Sequence, residues 1–135
     1  METIGRDIAP FLTFMGRAEE AMNFYVSLFD HSEVLSITRY GADVPGAEGM
    51  VMHATFSLRG RVFMCIDSPI SHEWGFTPAI SLWVPCESDE EIERLYRALS
   101  DGGQVYMELG SYPFSAKFAW VGDRFGVTWQ LSLDR

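Results

Sequence analysis

The sequence has few basic residues, few cysteines and no long apolar run. Its 10 lysines and arginines are outnumbered by 19 aspartates and glutamates, which gives a net charge of −9. A nucleic-acid binder would usually carry a basic patch, and none is visible. No apolar run approaches the ~20 residues of a membrane span, and residues 1–6 have no signal-peptide pattern. These absences predict a cytoplasmic protein with neither a nucleic-acid partner nor a membrane partner.

The two cysteines, Cys65 and Cys86, are far apart and show no CxxC spacing. We expect both to be reduced, buried thiols. With 135 residues, of which 47% are hydrophobic and 14% aromatic, the chain can bury a core without disulfides or a structural metal. The composition excludes disorder and predicts one domain over residues 1–135.

The pattern of apolar residues predicts one strand, one helix and three strands, in that order, twice. The first set is a strand at 8–14, a helix at 17–29 and strands at 33–40, 50–58 and 61–67. The second set is a strand at 78–84, a helix that begins with the capping box Ser88 to Glu91 and ends at Gly102 and Gly103, and strands at 105–109, 117–122 and 127–132.

This repeated order predicts an α+β fold of two βαβββ modules, at about 1–70 and 71–135. Two such modules, with eight mixed strands and two main helices, can place their helices outside and form a cup. The alternative is a ferredoxin-like sandwich, which has fewer strands than the sequence indicates.

Several motifs resemble those of the vicinal oxygen chelate superfamily, which includes glyoxalases, bleomycin-resistance proteins and extradiol dioxygenases. They are the strand at 11–14 with the helix segment 21–25, the strand at 79–84, the helix end at 101–103 and the closing hairpin at 123–131. Residues 10–12, 18–25, 38–41, 78–81 and 123–127 are similar, more closely, to its PhnB-like branch. The resemblance implies a glyoxalase-like cup, a small-molecule ligand and a homodimer.

Some relatives in this branch carry a demethylubiquinone methyltransferase label. No unit of strand, glycine-rich turn and helix suitable for a nucleotide-type cofactor is visible in the sequence. The residues therefore do not support methyl transfer, and we predict no cofactor.

The resemblance also implies a metal site with one ligand from each of four strands. The corresponding positions read Ala9, Met64, Ala79 and Gln130, with Pro10 and Cys65 as the neighbours if the alignment slips by one residue. Two alanines, a thioether and a neutral amide cannot hold a divalent ion, which needs at least three good protein ligands. We therefore predict no metal.

Without metal ligands, the same strand faces predict a pocket with an apolar floor and a few polar groups. The candidate ligand-binding residues are Phe11, Thr13, His53, Asp67, Ser81, Trp83, Thr128 and Gln130. The spacing of the sequence identifies no catalytic residue and no Ser-His-Asp or Cys-His arrangement.

Several of these residues have structural alternatives. Asp67 could hydrogen-bond a ligand or cap the loop that follows it. His53 could act as an acid or base, although an isolated strand histidine is more often structural. We expect His31 to be a surface turn residue, His72 to be a loop residue and residues 41–49 to form a flexible flap.

Three functions remain open from the sequence. The leading one is metal-free binding of a small, partly apolar molecule in the cup or in a dimer cleft. The second is a metal-dependent lyase, isomerase or dioxygenase with a displaced ligand set that draws on His53, Asp67 or Gln130. The third is a non-catalytic scaffold whose cup is filled by its own side chains, such as Phe11 and Trp83.

Overall fold

The computed structural model describes residues 5–134. The chain divides into two compact units, Met1–Glu73 and Trp74–Arg135, close to the predicted module boundary near residue 70. Most of the segment 1–6, which we examined for a signal-peptide pattern, lies outside the described residues. Neither helix in the described part of the chain is long and apolar enough to cross a membrane.

Unit 1 is a four-stranded sheet with one helix. Its elements are β1 (Phe11–Phe14), α1 (Ala18–Leu28), β2 (Glu33–Arg39), β3 (Val51–Leu58) and β4 (Arg61–Asp67). The strand order is β1-β4-β3-β2, with β1 parallel to β4 and the other pairs antiparallel.

The core of unit 1 lies between α1 and one face of this sheet. The helix buries five side chains at helical spacing: Ala18, Ala21, Met22, Tyr25 and Leu28. Alternate strand residues supply the opposite side of the core, namely Ala54, Phe56, Leu58, Phe63 and Cys65, all of them buried. One face of the sheet therefore packs against α1. The strand residues that alternate with these core residues lie on the other face.

Unit 2 repeats the topology. Its elements are β5 (Leu82–Cys86), α2 (Asp89–Ser100), β6 (Gln104–Tyr112), β7 (Ser115–Gly122) and β8 (Thr128–Leu133). The strand order is β5-β8-β7-β6, with β5 parallel to β8. The predicted α+β fold with eight mixed strands, two helices and two βαβββ sets is confirmed.

The predicted capping box begins α2. The Ser88 hydroxyl accepts a hydrogen bond from the Glu91 amide at 3.1 Å, and the Glu91 carboxylate accepts one from the Glu87 amide at 2.8 Å. The helix buries Ile92, Leu95 and Leu99 and ends before Gly102 (φ 73°). A Cβ atom on Gly103 would lie 2.0 Å from the Gly122 carbonyl oxygen, so only glycine fits there.

Three strands differ from their predicted bounds by three residues or more. β5 begins at Leu82 instead of residue 78, because residues 78–80 form a turn and a bend. β1 begins at Phe11 instead of residue 8: Pro10 has no amide hydrogen to donate, although its carbonyl accepts from the Met64 amide at 3.0 Å. β6 is longer than predicted and contains bulges that the apolar pattern does not show.

The closing hairpin between β7 and β8 is organised by one buried carboxylate. Asp123 Oδ1 accepts from the amides of Phe125 (2.9 Å) and Val127 (3.1 Å), and Oδ2 accepts from Trp129 Nε1 (2.9 Å). Gly126 completes the turn with φ 96°. These contacts explain why this short sequence is so typical of the fold.

Candidate functional site

The face of the unit 2 sheet that points away from α2 carries a row of large side chains. Trp83 on β5 pairs with Gln130 on β8, which pairs with Trp120 on β7. Neighbouring strands lie about 4.8 Å apart, so these three residues stand side by side across the sheet. The residues that alternate with them, such as Val84 and Leu131, are buried on the helix side.

More aromatic rings surround this row. Phe118 is buried, and its ring centroid lies 6.0 Å from Trp83, 5.7 Å from Tyr112 and 4.9 Å from Phe114. The Tyr106 ring lies 5.3 Å from that of Trp120, distances at which aromatic pairs attract each other. We call this surface the aromatic face; it comprises Trp83, Tyr106, Tyr112, Phe114, Phe118, Trp120 and Gln130.

Two polar groups on the aromatic face lack partners. The Trp120 indole nitrogen is buried and has no hydrogen-bond partner among the described residues. The Gln130 side-chain amide makes no hydrogen bond within that same part of the chain. Since an unsatisfied buried donor costs about 1–3 kcal/mol, the Trp120 N–H is a feature that needs an explanation.

Ser81 and Thr128 were also predicted to face the ligand, and they bind each other. Their hydroxyl oxygens are 2.8 Å apart, and Thr128 Oγ1 also donates to the Ile80 carbonyl at 2.6 Å. Beside them lies a cavity of about 50 Å³ lined by Phe76, Thr77, Ile80, Ser81, Leu82, Val127 and Thr128. This cavity is far smaller than the few hundred Å³ of a typical ligand pocket.

The corresponding face of unit 1 brings together Phe11, Thr13 and His53. Phe11 pairs with Met64 and Thr13 with Ile66 across the β1–β4 ladder, and the Phe11 ring lies 6.1 Å from that of His53. Phe11 is 49% exposed. The face therefore carries the Phe11 ring and the His53 imidazole beside the Thr13 hydroxyl and the Met64 thioether.

Asp67, another predicted ligand-binding residue, has a structural role instead. It is 2% exposed, and its Oδ1 accepts from the amides of Gly16 (2.7 Å) and Ala18 (3.0 Å). Its Oδ2 accepts from the Val51 amide at 3.1 Å. These bonds place Asp67 on the α1 side of the sheet, opposite His53, so we correct its assignment from ligand candidate to helix cap.

The cysteines are both buried, and neither is in a disulfide. Burial raises the pKa of the Cys65 thiol to about 12, and the charge of Asp67 acts in the same direction. This thiol is therefore protonated and unreactive at neutral pH.

The structure corrects two of the four predicted metal-ligand positions. Ala9 precedes β1, and Ala79 lies in an exposed turn before β5. The β1 residue beside Met64 is Phe11, and the β5 residue beside Gln130 is Trp83.

With either assignment, Gln130 is the only one of these residues that offers an oxygen ligand. No group of three or more histidines, cysteines, aspartates or glutamates within residues 5–134 is placed to hold a metal ion. These residues do not fit the divalent ion that the superfamily resemblance implies.

The loop after β4 contains a contact that sequence spacing did not reveal. Ser68 Oγ lies 2.8 Å from His72 Nε2 and donates to the Ile70 carbonyl at 2.9 Å. Ser68 is buried, and its hydroxyl is held by its own loop. We therefore interpret the pair as loop structure. His31 has φ 51° in a turn, as predicted, and Ala47 within the predicted flap is buried.

Sequence reasoning missed five residues of the aromatic face: Tyr106, Tyr112, Phe114, Phe118 and Trp120. In β7, Phe118, Trp120 and Gly122 alternate with Ala119 and Val121, which is the period-two signal that would have placed Trp120 beside Gln130. Tyr106 lies at an irregularity in β6, where strict alternation of faces does not hold, so the period-two pattern could not place it.

Known proteins share the sequence and the fold of this chain. A family model described as 3-demethylubiquinone-9 3-methyltransferase matches residues 6–132. The chain belongs to this family. Its PhnB protein from Bacillus cereus is 57% identical, with 95% of this chain and 99% of that chain covered and a TM-score of 0.92.

A protein from Pseudomonas aeruginosa is 28% identical, over 95% of this chain and 97% of that one, with a TM-score of 0.82. A glyoxylase/bleomycin resistance protein/dioxygenase domain from Frankia is 15% identical over 98% of this chain and 94% of that chain, with a TM-score of 0.69. This last likeness shows the fold alone, which is the fold that the superfamily resemblance implies, whereas the Bacillus cereus protein confirms the predicted resemblance to the PhnB-like branch. No curated protein matches the chain. The family description is a label, so the activity has to be argued from the residues.

Proposed function

We propose that the protein binds a small, partly apolar molecule on the aromatic face of unit 2, without a metal. The observation that carries this proposal is Trp83, which is 54% exposed beside Gln130, whose amide makes no hydrogen bond among the described residues. Ligand sites combine apolar and aromatic walls with a few polar groups that orient the ligand. Trp83 and Trp120 are the apolar walls here, and Gln130 is the polar group between them.

The energetics favour an occupant of this face. A ligand that covers exposed aromatic surface gains about 25 cal/mol for each Å² of apolar area removed from water. Trp83 (54% exposed) and Phe114 (59% exposed) offer much of that area. Both belong to one ring cluster around Phe118, so a single planar molecule can contact both.

The scaffold alternative receives less support. It requires a face filled by its own side chains, and Trp83 and Phe11 are about half exposed, at 54% and 49%. Side chains that only fill a core are more deeply buried than this.

The alternative of a metal enzyme with a displaced ligand set is also less supported. His53 and Asp67 lie on opposite faces of the unit 1 sheet, and the Asp67 carboxylate already accepts three backbone amides. Metal analysis of the purified protein should find well under one tightly bound divalent ion per chain. A stoichiometric ion would revive this alternative.

Methyl transfer is not part of the proposal, although the family description names it. The turn from β1 to α1 contains one glycine, Gly16, and the turn from β5 to α2, residues 87–88, contains none. Neither is the glycine-rich turn that brings a backbone close to a nucleotide-type cofactor.

We also propose that the protein is a cytoplasmic homodimer. The support is the superfamily resemblance for the dimer, and the two buried cysteines, neither of which is in a disulfide, for a reducing compartment such as the cytoplasm. Analytical ultracentrifugation at micromolar concentration should show a mass of twice 15.3 kDa, and a monomer would contradict the proposal.

The test of binding uses two tryptophans of matched exposure in the same unit. Trp83 is 54% exposed on the aromatic face, and Trp74 is 56% exposed in a loop. Neutral bicyclic aromatic fragments should give saturation-transfer NMR signals with the wild type and with Trp74→Ala. Titration of these signals should show that Trp83→Ala raises the Kd of the fragments about tenfold, equivalent to 1.4 kcal/mol. Equal losses in both variants, or no binding to the wild type, would contradict the proposal.

A further inference from the structure

The Trp120 indole is an unusual element of the aromatic face. Its nitrogen is a donor only, is buried, and has no acceptor among the described residues. Most buried donors in native proteins have a partner, so an exception points to a partner that arrives from elsewhere. Trp120 also lies next to Gln130 in the β7–β8 ladder, within the proposed binding face.

The charged side chains of unit 2 further restrict the chemical class of the ligand. The described part of unit 2 contains four cationic side chains and no histidine. Arg94 and Arg97 lie on α2, and Lys117 pairs with Asp89 and Glu93 of the same helix. Arg124 stacks over Phe125 in the closing turn. None of them belongs to the aromatic face, so that face offers no countercharge to an anionic ligand.

We propose that the ligand is a neutral planar ring compound whose carbonyl or ether oxygen accepts the Trp120 N–H. This inference rests on the proposed function and names the chemical class that the same face would select. The ring lies against the Trp83 and Trp120 indoles, and the Gln130 amide between them meets a further polar edge of the ligand. A ligand of this shape without the oxygen leaves the indole donor unpaired, and that is the origin of the selectivity.

Tyr106 is the side chain that has to move. Its ring occupies the space above Gly122, where an added Cβ would lie 3.3 Å from the ring, and it is the direct neighbour of Trp120. Tyr106 is 37% exposed, and its hydroxyl donates one 3.2 Å hydrogen bond to Gln104 Oε1. A rotamer change of this kind is common on binding, so the ligand reaches the indole N–H by displacing Tyr106.

The experiment compares 1-indanone with indane, which share a bicyclic skeleton and differ in one carbonyl. Wild type should bind 1-indanone about tenfold more tightly than indane, which corresponds to about one hydrogen bond. In ¹H–¹⁵N spectra, 1-indanone should shift the Trp120 indole resonance downfield, and indane should not. That resonance is identified by its loss in Trp120→Phe. The shifts themselves are measured on wild-type protein, and the variant serves only to assign the resonance.

Two variants test which residue causes the difference in affinity between 1-indanone and indane. Trp120→Phe should bring the affinity ratio of the two compounds close to one while indane still binds. Trp83→Phe should weaken both compounds equally and preserve the ratio.

If both compounds bind wild type equally, or if the ratio survives in Trp120→Phe, the inference is wrong and the proposed function stands. Equal binding is also the result expected if a rotamer of Gln130 already accepts the indole N–H. If neither compound binds, the proposed function itself fails.

Discussion

The helices of the two units are anchored by groups that come from very different distances along the chain. The N-cap residue of α1, Arg17, makes no side-chain cap hydrogen bond, and the amides around it are bound by Asp67, which lies 49 to 51 residues further along the chain. α2 is capped locally by Ser88, whose hydroxyl accepts a hydrogen bond from the amide of Glu91, three residues later. The two units share the βαβββ topology but differ in what binds the amides at the helix N-terminus. In unit 1 the acceptor comes from a remote strand, and in unit 2 it comes from a local sequence motif.

The open faces differ as well. The unit 1 face carries Phe11, Thr13 and His53 among aliphatic residues, whereas the unit 2 face carries a row of two tryptophans around Gln130. A repeated backbone can thus support two different surfaces, because strand alternation separates the helix-facing core from the side chains that face outward. The core is constrained by packing in both units, and the outward faces are not.

Removing the Asp67 carboxylate, the remote cap of α1, should lower the free energy of unfolding more than the other substitutions considered below. Asp67→Ala leaves three backbone amides in or near the core without an acceptor and removes a negative charge from the α1 N-terminus. We expect unfolding in urea to show a loss of about 3–5 kcal/mol. Asp67→Asn, which keeps one carbonyl oxygen, should lose less. A loss below about 1 kcal/mol would show that unit 1 does not depend on this carboxylate.

Removing the local cap should have a smaller effect. Ser88→Ala removes one acceptor, and the Glu91 contact to the Glu87 amide can persist. The expected loss is about 1 kcal/mol, measured in the same urea titration, and Ser88→Asp should restore most of it. If Ser88→Ala cost as much as Asp67→Ala, the distinction between the two anchors would disappear.

The exposed ion pair of unit 1 should have the smallest effect. Arg39 donates to both carboxylate oxygens of Glu19, at 2.8 and 2.7 Å, and this hydrogen bonding is the main reason that the Glu19 pKa is lowered. Because both side chains are more than a third exposed, Glu19→Gln should cost no more than about 0.5 kcal/mol.

The sign of its pH dependence follows from the lowered pKa. The stabilisation is present above the unfolded-state value near 4.5 and is lost as the pH falls through the lower folded value. Wild type and Glu19→Gln should therefore converge in stability at acidic pH, and also in high salt. A difference that grows on acidification would contradict this account.

Much of the fold could be predicted because its signals are local. The alternation in the third strand placed β3 within one residue, and the box at Ser88 and Glu91 located the start of α2. The hairpin at Asp123 is likewise written in adjacent residues. The start of β5 was wrong by four residues because it is set by pairing with Trp129 to Leu133, and the apolar run before Leu82 contains no such information.

The candidate site was less predictable for the same reason. Gln130 and Trp83 were placed by strand alternation and resemblance, and they do lie side by side. The sequence left Asp67 open between a ligand contact and a loop cap, because its partners, Gly16, Ala18 and Val51, are remote in sequence. Alternation in β7 could have placed Trp120 beside Gln130, but its missing hydrogen-bond partner is visible only in three dimensions.

The distance between Asp67 and α1 also has a consequence during synthesis on the ribosome. At about 5–20 residues per second, the 49 residues between Ala18 and Asp67 take roughly 2.5–10 s to be translated. Throughout that interval the Ala18 amide lacks its Asp67 acceptor and is left to water, while Ser88 is already in the chain when α2 emerges. The nascent first half therefore completes its helix only when its last strand arrives, and the second half can start its helix at once.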